Sequence, residues 1–245
     1  MNCVILAAGL GTRLRGVSDS KPLTPVGGVP LIEHVIRRAT AGGAYRFVVV
    51  TGYLAERLEP FLVGLGERLA LPISFTRAED WTRPNGFSVL AGSARIEGDY
   101  LLLMSDHLFD PEIARRLIGA PSQMADVVLA VDRHVDGELV DPADATKVEV
   151  APDGTIVRIG KELERYNAID TGLFRAGPEL AEAIRAVIAA GGSGSLSAGV
   201  QRLADAGLAR TMDVDAARWI DVDDARMLAL AEGLVASDAL MGSAA

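Results

Sequence analysis

Two cations lie on a glycine-rich loop that follows the first apolar run of the chain. The sequence reads LAAGLGTRLRGVSDSKPL, so that Arg13 and Lys21 share this loop with Gly9 and Gly11. Glycines let the backbone approach a ligand and leave N–H groups free to contact phosphate oxygens. A guanidinium and an ammonium group on the same loop would neutralise part of a polyphosphate. These residue types and their spacing predict a site for an activated phosphate.

A glycine-rich loop after a strand has several possible interpretations, of which a simple tight turn is the plainest. A dinucleotide-binding loop reads G-x-G-x-x-G, but Leu14 occupies the place of the third glycine and the second strand ends in VVVTGY, without an acidic residue for a ribose. The Gly-Lys-Ser/Thr of a Walker loop is absent from this segment. We favour a loop that carries its own cations. A dinucleotide-dependent oxidoreductase and a non-catalytic nucleotide-binding module stay open as alternatives.

Two carboxylates follow apolar runs later in the chain. Asp106 ends the run YLLLMSD, and Asp221 follows the short run WI. Oxygen ligands of this kind are those that Mg²⁺ prefers, often with only one or two carboxylates. We predict a Mg²⁺ site formed by Asp106 and Asp221, and whether Asp223 joins it stays open. The alternative for each is a helix N-cap, for Asp106 before Pro111 and for Asp221 on the last helix, where Asp223 and Asp224 are better placed.

Apolar runs alternate with helical patterns through the first half of the chain, and these elements must position the loop and the carboxylates. Because the runs lack polar alternation, they indicate strands that are covered on both faces, as in a mostly parallel sheet. Ligands of such sheets bind beyond the carboxyl ends of the strands. Strands are predicted at 3–7, 46–51, 72–76, 100–104 and 127–131, and helices at 30–40, 54–65 and 87–96.

The second half of the chain differs from the first in its pattern of apolar and polar residues. The segment ATKVEVAPDGTIVRIGK alternates with period 2 on both sides of Pro-Asp-Gly and predicts a hairpin. A strand at 169–174 and helices at 178–190 and 223–235 follow. We expect one α/β domain over 1–245, a Rossmann-like, doubly wound, mostly parallel mixed sheet with an antiparallel hairpin. Its nucleotide-binding half is 1–131 and its acceptor-binding half 132–245.

Composition restricts the classes of partner. The formal net charge of -9 opposes binding of nucleic acid or anionic lipid, although a few cations can still dominate a pocket. Cys3 is the single cysteine and is expected to be buried and inert. No apolar stretch reaches the roughly 18 residues of a membrane span, so we expect a cytoplasmic protein that is not embedded in a membrane. His107, beside Asp106, is expected to have a structural role.

The quoted loop resembles the signature of the nucleotidyltransferases that make nucleotide-activated sugars and alcohols. The resemblance continues in the same order. PNGFSVLAG resembles the base-recognition segment, LLLMSDH the strand with a metal-binding aspartate, NAIDTGLF the acceptor-site strand and WIDVDD the segment with a second such aspartate. Within this group, MSDH, ATKVEV, IGKELERYNAIDTGLF and WIDVDD are most similar to CTP:inositol-1-phosphate cytidylyltransferases. Ser20 and Ser105 stand where hexose 1-phosphate enzymes have Pro and Gly.

The resemblance implies the roles of individual residues in the site. Arg13, Lys21 and Asp106 are the implied catalytic residues, and Asp106 and Asp221 the implied metal ligands. Other residues are implied to bind the two substrates. The nucleotide-binding set is Leu6, Ala7, Ala8, Gly9, Gly11, Thr12, Arg13, Lys21, Asn85, Gly86, Ser105 and Asp106. The acceptor-binding set is Lys147, Lys161, Asn167, Asp170, Thr171 and Gly172.

The implied reaction is attack of a phosphate oxygen on the α-phosphorus of CTP, with pyrophosphate leaving. A phosphomonoester is already nucleophilic, so positioning and cations, rather than a general base, should carry the catalysis. Inositol 1-phosphate is the expected acceptor. Phosphocholine or a sugar 1-phosphate, with CTP, UTP or dTTP, stays open. In several members of that group this domain is fused to a membrane-embedded CDP-alcohol phosphotransferase. Because this sequence ends at Ala245 without such a domain, we expect a standalone form that is functionally coupled to a separate enzyme of that kind.

Overall fold

Apolar runs form buried strands at the centre of the protein, as their lack of polar alternation predicts. The computed structural model describes residues 1–14, 16–121, 125–137, 140–141 and 144–237. The strands are β1 (Asn2–Ala7), β2 (Pro25–Val26), β3 (Val29–Pro30), β4 (Arg46–Thr51), β5 (Ile73–Arg77), β6 (Tyr100–Met104), β7 (His107–Phe109), β8 (Val127–Asp132), β9 (Lys147–Val150), β10 (Ile156–Gly160), β11 (Ala168–Ala176), β12 (Ala209–Asp213) and β13 (Trp219–Asp221).

Helices connect most of these strands. Short 3₁₀ turns at Thr12–Leu14 and Lys21–Leu23 shape the glycine-rich loop. None of the helices in the described ranges is both long and apolar enough to span a membrane. The α-helices are α1 (Leu31–Ala41), α2 (Ala55–Leu69), α3 (Gly86–Ser93), α4 (Pro111–Gly119), α5 (Pro178–Ala189), α6 (Leu196–Asp205) and α7 (Ala225–Ala236).

The main sheet is mixed and mostly parallel in its nucleotide-binding half. Its strand order is β10-β9-β11-β6-β1-β4-β5, and β8 pairs with β11 on one side and with β12 on the other. The strands β6, β1, β4 and β5 are parallel, whereas β11 runs antiparallel to β6. The predicted hairpin is present as the antiparallel pair β9 and β10. The observed sheet confirms the predicted fold class.

Two layers of helices cover the sheet. Apolar side chains of α1, α2, α4 and α7 pack with one set of strand residues, among them Ile5 and Leu103. Those of α3, α5 and α6 pack with the alternate residues, among them Val4 and Leu102. Because consecutive strand residues point to opposite faces, apolar runs such as CVILA contribute to both layers.

Three helix starts explain where the observed elements differ from the predicted ones. Asp110, rather than Asp106, caps α4 by accepting a hydrogen bond from the Glu112 N–H at 2.8 Å. Asp224 caps α7 in the same way, so this helix begins at 225 and not at 223. Ser195 caps α6, a helix that follows the Gly/Ser segment GGSGS. Capping by Asp110 and Asp224 therefore leaves the carboxylates of Asp106 and Asp221 available for other contacts.

The antiparallel direction of β11 determines where the two halves of the chain meet. Leu173 pairs with Leu103 of β6, so the first residues of β11 extend past the carboxyl end of β6. Asp170 consequently lies at the same edge of the sheet as Asp106 and the glycine-rich loop. The short antiparallel pair β7 and β13 brings Asp221 opposite His107 at this edge.

Candidate active site

A cavity of about 480 Å³ opens at the carboxyl ends of β1 and β6. The glycine-rich loop, the segment before α3, the start of β11 and the segment after β13 form its wall. Residues from both halves of the chain therefore meet in one pocket. The predicted site residues that line it are Leu6, Ala7, Ala8, Gly9, Gly11, Thr12, Arg13, Lys21, Asn85, Ser105, Asp106, Lys161, Asp170, Gly172 and Asp221.

Lys21 lies among carboxylates that come from distant parts of the chain. Its ammonium group forms ion pairs with Asp106 and Asp223, and Nζ lies 4.0 Å from Asp221 Oδ1. Burial alone would lower the pKa of Lys21, but the surrounding carboxylates outweigh it and raise that pKa. Gly11 has a φ of +60°, and a Cβ there would lie 2.6 Å from Lys21 Cβ. A glycine at this position therefore lets the lysine side chain pack against the loop.

Arg13 and Lys161 are joined by Asp144, a residue that the sequence analysis did not single out. Asp144 Oδ2 accepts a hydrogen bond from Arg13 at 2.5 Å, and Oδ1 accepts one from Lys161 Nζ at 2.6 Å. Arg13 also donates to Asp223 Oδ2 at 2.5 Å. These cations hold the pKa of Asp144 well below its usual range despite its partial burial. The glycine-rich loop is thus connected by charge to the acceptor-binding half.

The two predicted metal ligands lie side by side in different electrostatic environments. Burial would raise the pKa of Asp106, but Lys21 and His107 lower it well below its usual range. Burial, together with the charge of Asp106, raises the pKa of Asp221 to about 7. Among the described residues, no hydrogen-bond partner is present for the buried Asp221 Oδ1. A buried carboxylate oxygen without a partner is costly, and a bound cation would satisfy it.

His107 contacts both carboxylates, so its role extends beyond packing. Its Nδ1 lies 2.8 Å from Asp106 Oδ1 and 3.7 Å from Asp221 Oδ1. Burial would lower its pKa, but these carboxylates raise it to about 9. The ring stacks on Trp219 with a centroid separation of 6.0 Å. Gly172, at a φ of +76°, leaves room for the imidazole, because a Cβ there would lie 2.6 Å from its Cδ2.

Two groups of donor atoms in this cluster could hold a cation. Within each group the ligand atoms lie within 4.8 Å of one another, with one group formed by Asp106, His107 and Asp221 and the other by Asp144, Asp221 and Asp223. Carboxylate oxygens predominate, which suits a hard divalent ion. Asp221, whose Oδ1 has no hydrogen-bond partner among the described residues, belongs to both groups. The cluster is therefore compatible with a divalent metal.

Asp170 forms the part of the cavity wall contributed by β11. Its Oδ1 accepts a hydrogen bond from the Gly172 N–H at 2.7 Å. Burial raises the pKa of Asp170 to about 6, even though this N–H and nearby His107 act in the opposite direction. The carboxylate is therefore fixed in orientation at the cavity wall, where it can accept hydrogen bonds from hydroxyl groups.

The opposite wall is formed by the segment before α3. Asn85 Oδ1 accepts a hydrogen bond from the Leu196 N–H at 2.9 Å, so this side chain joins α3 to α6 while lining the cavity. Trp81, Arg83 and Ser88 lie in the same wall and were not predicted as site residues. Ser88 lies within PNGFSVLAG and Arg83 immediately before it, so the resemblance of this segment pointed to the region but not to these side chains.

Four predicted site residues do not line the cavity. Thr171 is buried and donates to the Ala130 carbonyl, and the amide of Asn167 pairs with the backbone of Val150. Lys147 Nζ lies 5.4 Å from the centroid of the Tyr166 ring. Gly86 packs tightly against the backbone of Gly194. These contacts place Thr171, Asn167, Lys147 and Gly86 next to the cavity and not in its wall.

Comparisons with known proteins agree with this geometry. Residues 3–153 match the family of MobA-like NTP transferase domains. A Rubrobacter xylanophilus protein named bifunctional IPC transferase and DIPP synthase is 36% identical over 186 residues, which cover 76% of this chain and 40% of the relative. An Archaeoglobus fulgidus protein of the same name is 32% identical over 174 residues, covering 71% of this chain and 32% of the relative. The chain thus spans less than half the length of these curated relatives.

A solved structure shares the fold over almost the whole chain. The inositol-1-phosphate CTP transferase from T. maritima superposes with a TM-score of 0.85 and covers 96% of this chain and 94% of that one. The sequence identity is 24%, so this likeness establishes the architecture.

Proposed function

Because this chain belongs to the family of MobA-like NTP transferase domains, we propose that it transfers the cytidylyl group of CTP to inositol 1-phosphate, giving CDP-inositol and pyrophosphate. The observation that carries the proposal is the cluster of Lys21, Asp106 and Asp221 at the end of the glycine-rich loop. The names of the two curated relatives and of the structural neighbour support the choice of nucleotide and acceptor.

The reaction joins two anions, which defines what the site must supply. An oxygen of the acceptor phosphate forms a bond to the α-phosphorus of CTP, and the bond from that phosphorus to the α–β bridging oxygen breaks. Pyrophosphate leaves with the electron pair. Since the attacking oxygen already carries negative charge, the protein has to align the two phosphates and neutralise the charge that builds on the leaving group.

The cations of the loop meet the second requirement. In the proposed complex the Gly9 and Gly11 backbone contacts the triphosphate, and Arg13 and Lys21 neutralise the leaving pyrophosphate. Lys21 remains protonated throughout, because the carboxylates around it raise its pKa. On the other wall, Lys161 binds the acceptor phosphate and Asp170 accepts hydrogen bonds from the polyol hydroxyls.

We assign Mg²⁺ to the carboxylates of Asp106 and Asp221. The unpartnered Oδ1 of Asp221 and its donor neighbours fit a hard cation. When bound, the ion would neutralise charge on the phosphates and draw them together. His107 orients Asp106 from the side and is itself held by Trp219.

The proposed product, CDP-inositol, can serve as the substrate of a further transfer reaction. CDP-inositol contains a phosphoanhydride bond between its two phosphates. Attack of an alcohol oxygen on the inositol-bearing phosphorus would form a phosphodiester, break the bond from that phosphorus to the bridging oxygen and release CMP. We therefore propose functional coupling to a CDP-alcohol phosphotransferase embedded in a membrane. The bifunctional names of the curated relatives support this coupling.

Release of pyrophosphate across a substrate grid tests the proposal. Four nucleoside triphosphates are combined with inositol 1-phosphate, phosphocholine and glucose 1-phosphate, each with Mg²⁺ and with EDTA. We expect the fastest Mg²⁺-dependent release from CTP with inositol 1-phosphate. Release only from UTP or dTTP with glucose 1-phosphate would indicate a sugar 1-phosphate nucleotidyltransferase instead. No release from any pair would refute nucleotidyl transfer.

A further inference from the structure

Arg83 differs from the other cations of the cavity in forming no ion pair within 4.0 Å among the described residues. The exposed Asp80 interacts with it only at longer range, and Asp80 Oδ1 accepts hydrogen bonds from Thr82. Arg13, Lys21 and Lys161 are each ion-paired. Over the described ranges of the chain, no carboxylate lies within 4.0 Å of the Arg83 guanidinium, yet this residue lines the cavity. Its hydrogen-bonding capacity is therefore available to a ligand.

The fold separates Arg83 from the acceptor side of the cavity. Arg83 lies between β5 and α3. In the strand order β11-β6-β1-β4-β5, β5 lies on one side of β1, whereas the acceptor-side strands β6 and β11 lie on the other. The neighbouring Trp81 packs close to Ala8 at the end of β1, since a Cβ at Gly52 would lie 2.7 Å from both Trp81 Cβ and the Ala8 carbonyl oxygen. A nucleotide whose phosphates lie near Asp106 would direct its base toward this end.

Stacking fixes the plane of the guanidinium. The central carbon of Arg83 lies 3.4 Å from the centroid of the Phe87 ring. Phe87 is itself confined, because a Cβ at Gly194 would lie 2.9 Å from its Cε2. A guanidinium stacked on a ring by its face keeps its N–H groups pointing outward in the plane, where they can donate to a planar partner.

The two pyrimidines differ at the atoms that such a fork would contact. Cytosine presents O2 and N3 as adjacent acceptors, whereas N3 of uracil carries a proton and donates. Arginine has donors and no acceptor. We propose that Arg83 donates to O2 and N3 of cytosine and is the residue that selects CTP over UTP. This inference rests on the proposed function, which needs a pyrimidine base at this end of the cavity.

Substitution of Arg83 and measurement of nucleotide preference test the inference. Arg83→Lys keeps the charge and removes the planar fork, Arg83→Gln removes both, and Arg95→Gln changes an exposed arginine outside the cavity. The measurements are kcat/KM for CTP and UTP with inositol 1-phosphate, and Kd for each nucleotide by titration calorimetry. We expect both Arg83 variants to reduce the ratio of kcat/KM for CTP to that for UTP at least about 10-fold, chiefly by weakening the binding of CTP. Arg95→Gln should leave the ratio unchanged.

Each result bears on the inference in a defined way. Equal losses for CTP and UTP in Arg83→Gln, with Arg83→Lys close to wild type, would mean a phosphate contact and would overturn it. An unchanged ratio in both variants would also overturn it, while the proposed function would stand. If the wild-type protein itself shows no preference for CTP, the proposed nucleotide is wrong, and the inference that Arg83 selects CTP over UTP is refuted together with it.

Discussion

The Asp144 carboxylate accepts a hydrogen bond of 2.6 Å from Lys161 Nζ and also pairs with Arg13 of the glycine-rich loop. Without substrate, this acid neutralises two cations that the proposed reaction needs for phosphates. Asp144 therefore competes with phosphate groups for Arg13 and Lys161. The side chains are partly exposed, so solvent and salt weaken this competition.

Asp144→Asn should tighten the binding of anions. With the competing charge removed, we expect the Kd for pyrophosphate, measured by calorimetry in EDTA, to fall by about 2- to 5-fold, which corresponds to the upper range of an exposed ion pair. Asp205→Asn changes the net charge by the same amount on the exposed side of α6 and should have little effect. Equal gains in both variants would instead indicate a general charge effect.

Asp221→Asn should separate activity from stability. A folded-state pKa of about 7, above the ordinary value for an aspartate, means that this group costs stability as pH rises from about 4 to 7. Without divalent metal at pH 8, we expect the variant to melt at a temperature equal to or above that of the wild type. Turnover in Mg²⁺ should fall by at least about 100-fold, because a ligand is lost. A large drop in melting temperature would contradict this account of the site.

Gly172→Ala should disturb the site through His107. The new methyl group would contact the imidazole in a backbone conformation with φ of +76°. Gly98→Ala is the matched control, because its φ is +72° and no atom lies within 4 Å of the added carbon. We expect Gly98→Ala to cost about 1 kcal/mol of unfolding free energy and Gly172→Ala a further 1–3 kcal/mol. Only Gly172→Ala should lower kcat; equal kcat values in the two variants would exclude a role for the His107 position.

His34 should make the protein less stable in mild acid. It is buried in α1, with Nε2 2.9 Å from the Val26 carbonyl oxygen and Nδ1 3.0 Å from Arg38. Burial, reinforced by the Arg38 charge, lowers its pKa. The unfolded chain therefore binds the proton more tightly, and stability is lost as pH falls below about 6.5.

Chemical unfolding between pH 7.0 and 5.0 checks this expectation. The slope attributable to one proton is at most about 1.4 kcal/mol per pH unit. His34→Gln should reduce the slope of the wild type, whereas His134→Gln, at an exposed histidine, should retain it. Identical slopes in wild type and His34→Gln would show that other groups dominate the acid sensitivity.

The elements that begin or end with strong local signals could be predicted from the sequence. The runs RFVVVT and YLLLM became β4 and β6 with the predicted bounds, and the Pro-Asp-Gly turn became a hairpin. The family resemblance is confirmed by the match over residues 3–153. The sequence analysis assigned no bounds to α4, α6 or β12. A helix beginning at Pro111 was considered only as an alternative role for Asp106, whereas β12 reads ARTMD, without an apolar run, and forms by pairing with β8.

The composition of the site depends on contacts between residues far apart in the chain, which local patterns do not encode. Lys21 and Asp223 are 202 positions apart, and Arg13 and Asp144 are 131 positions apart. Asp144 lies in the polar segment DPADATK, where nothing distinguishes it from a solvated charge. The roles assigned to individual site residues remain predictions, because the structure gives their positions and not their chemistry.

Transfer of isotope from labelled CTP tests the central claim most directly. The protein is incubated with inositol 1-phosphate, Mg²⁺ and CTP labelled with ³²P in either the α- or the γ-phosphate, with Asp106→Asn as the comparison. We predict that the α-label appears in CDP-inositol and the γ-label in pyrophosphate, and that Asp106→Asn, although folded, transfers neither. An unlabelled inositol product with α-labelled CTP, or undiminished transfer by Asp106→Asn, would contradict the account.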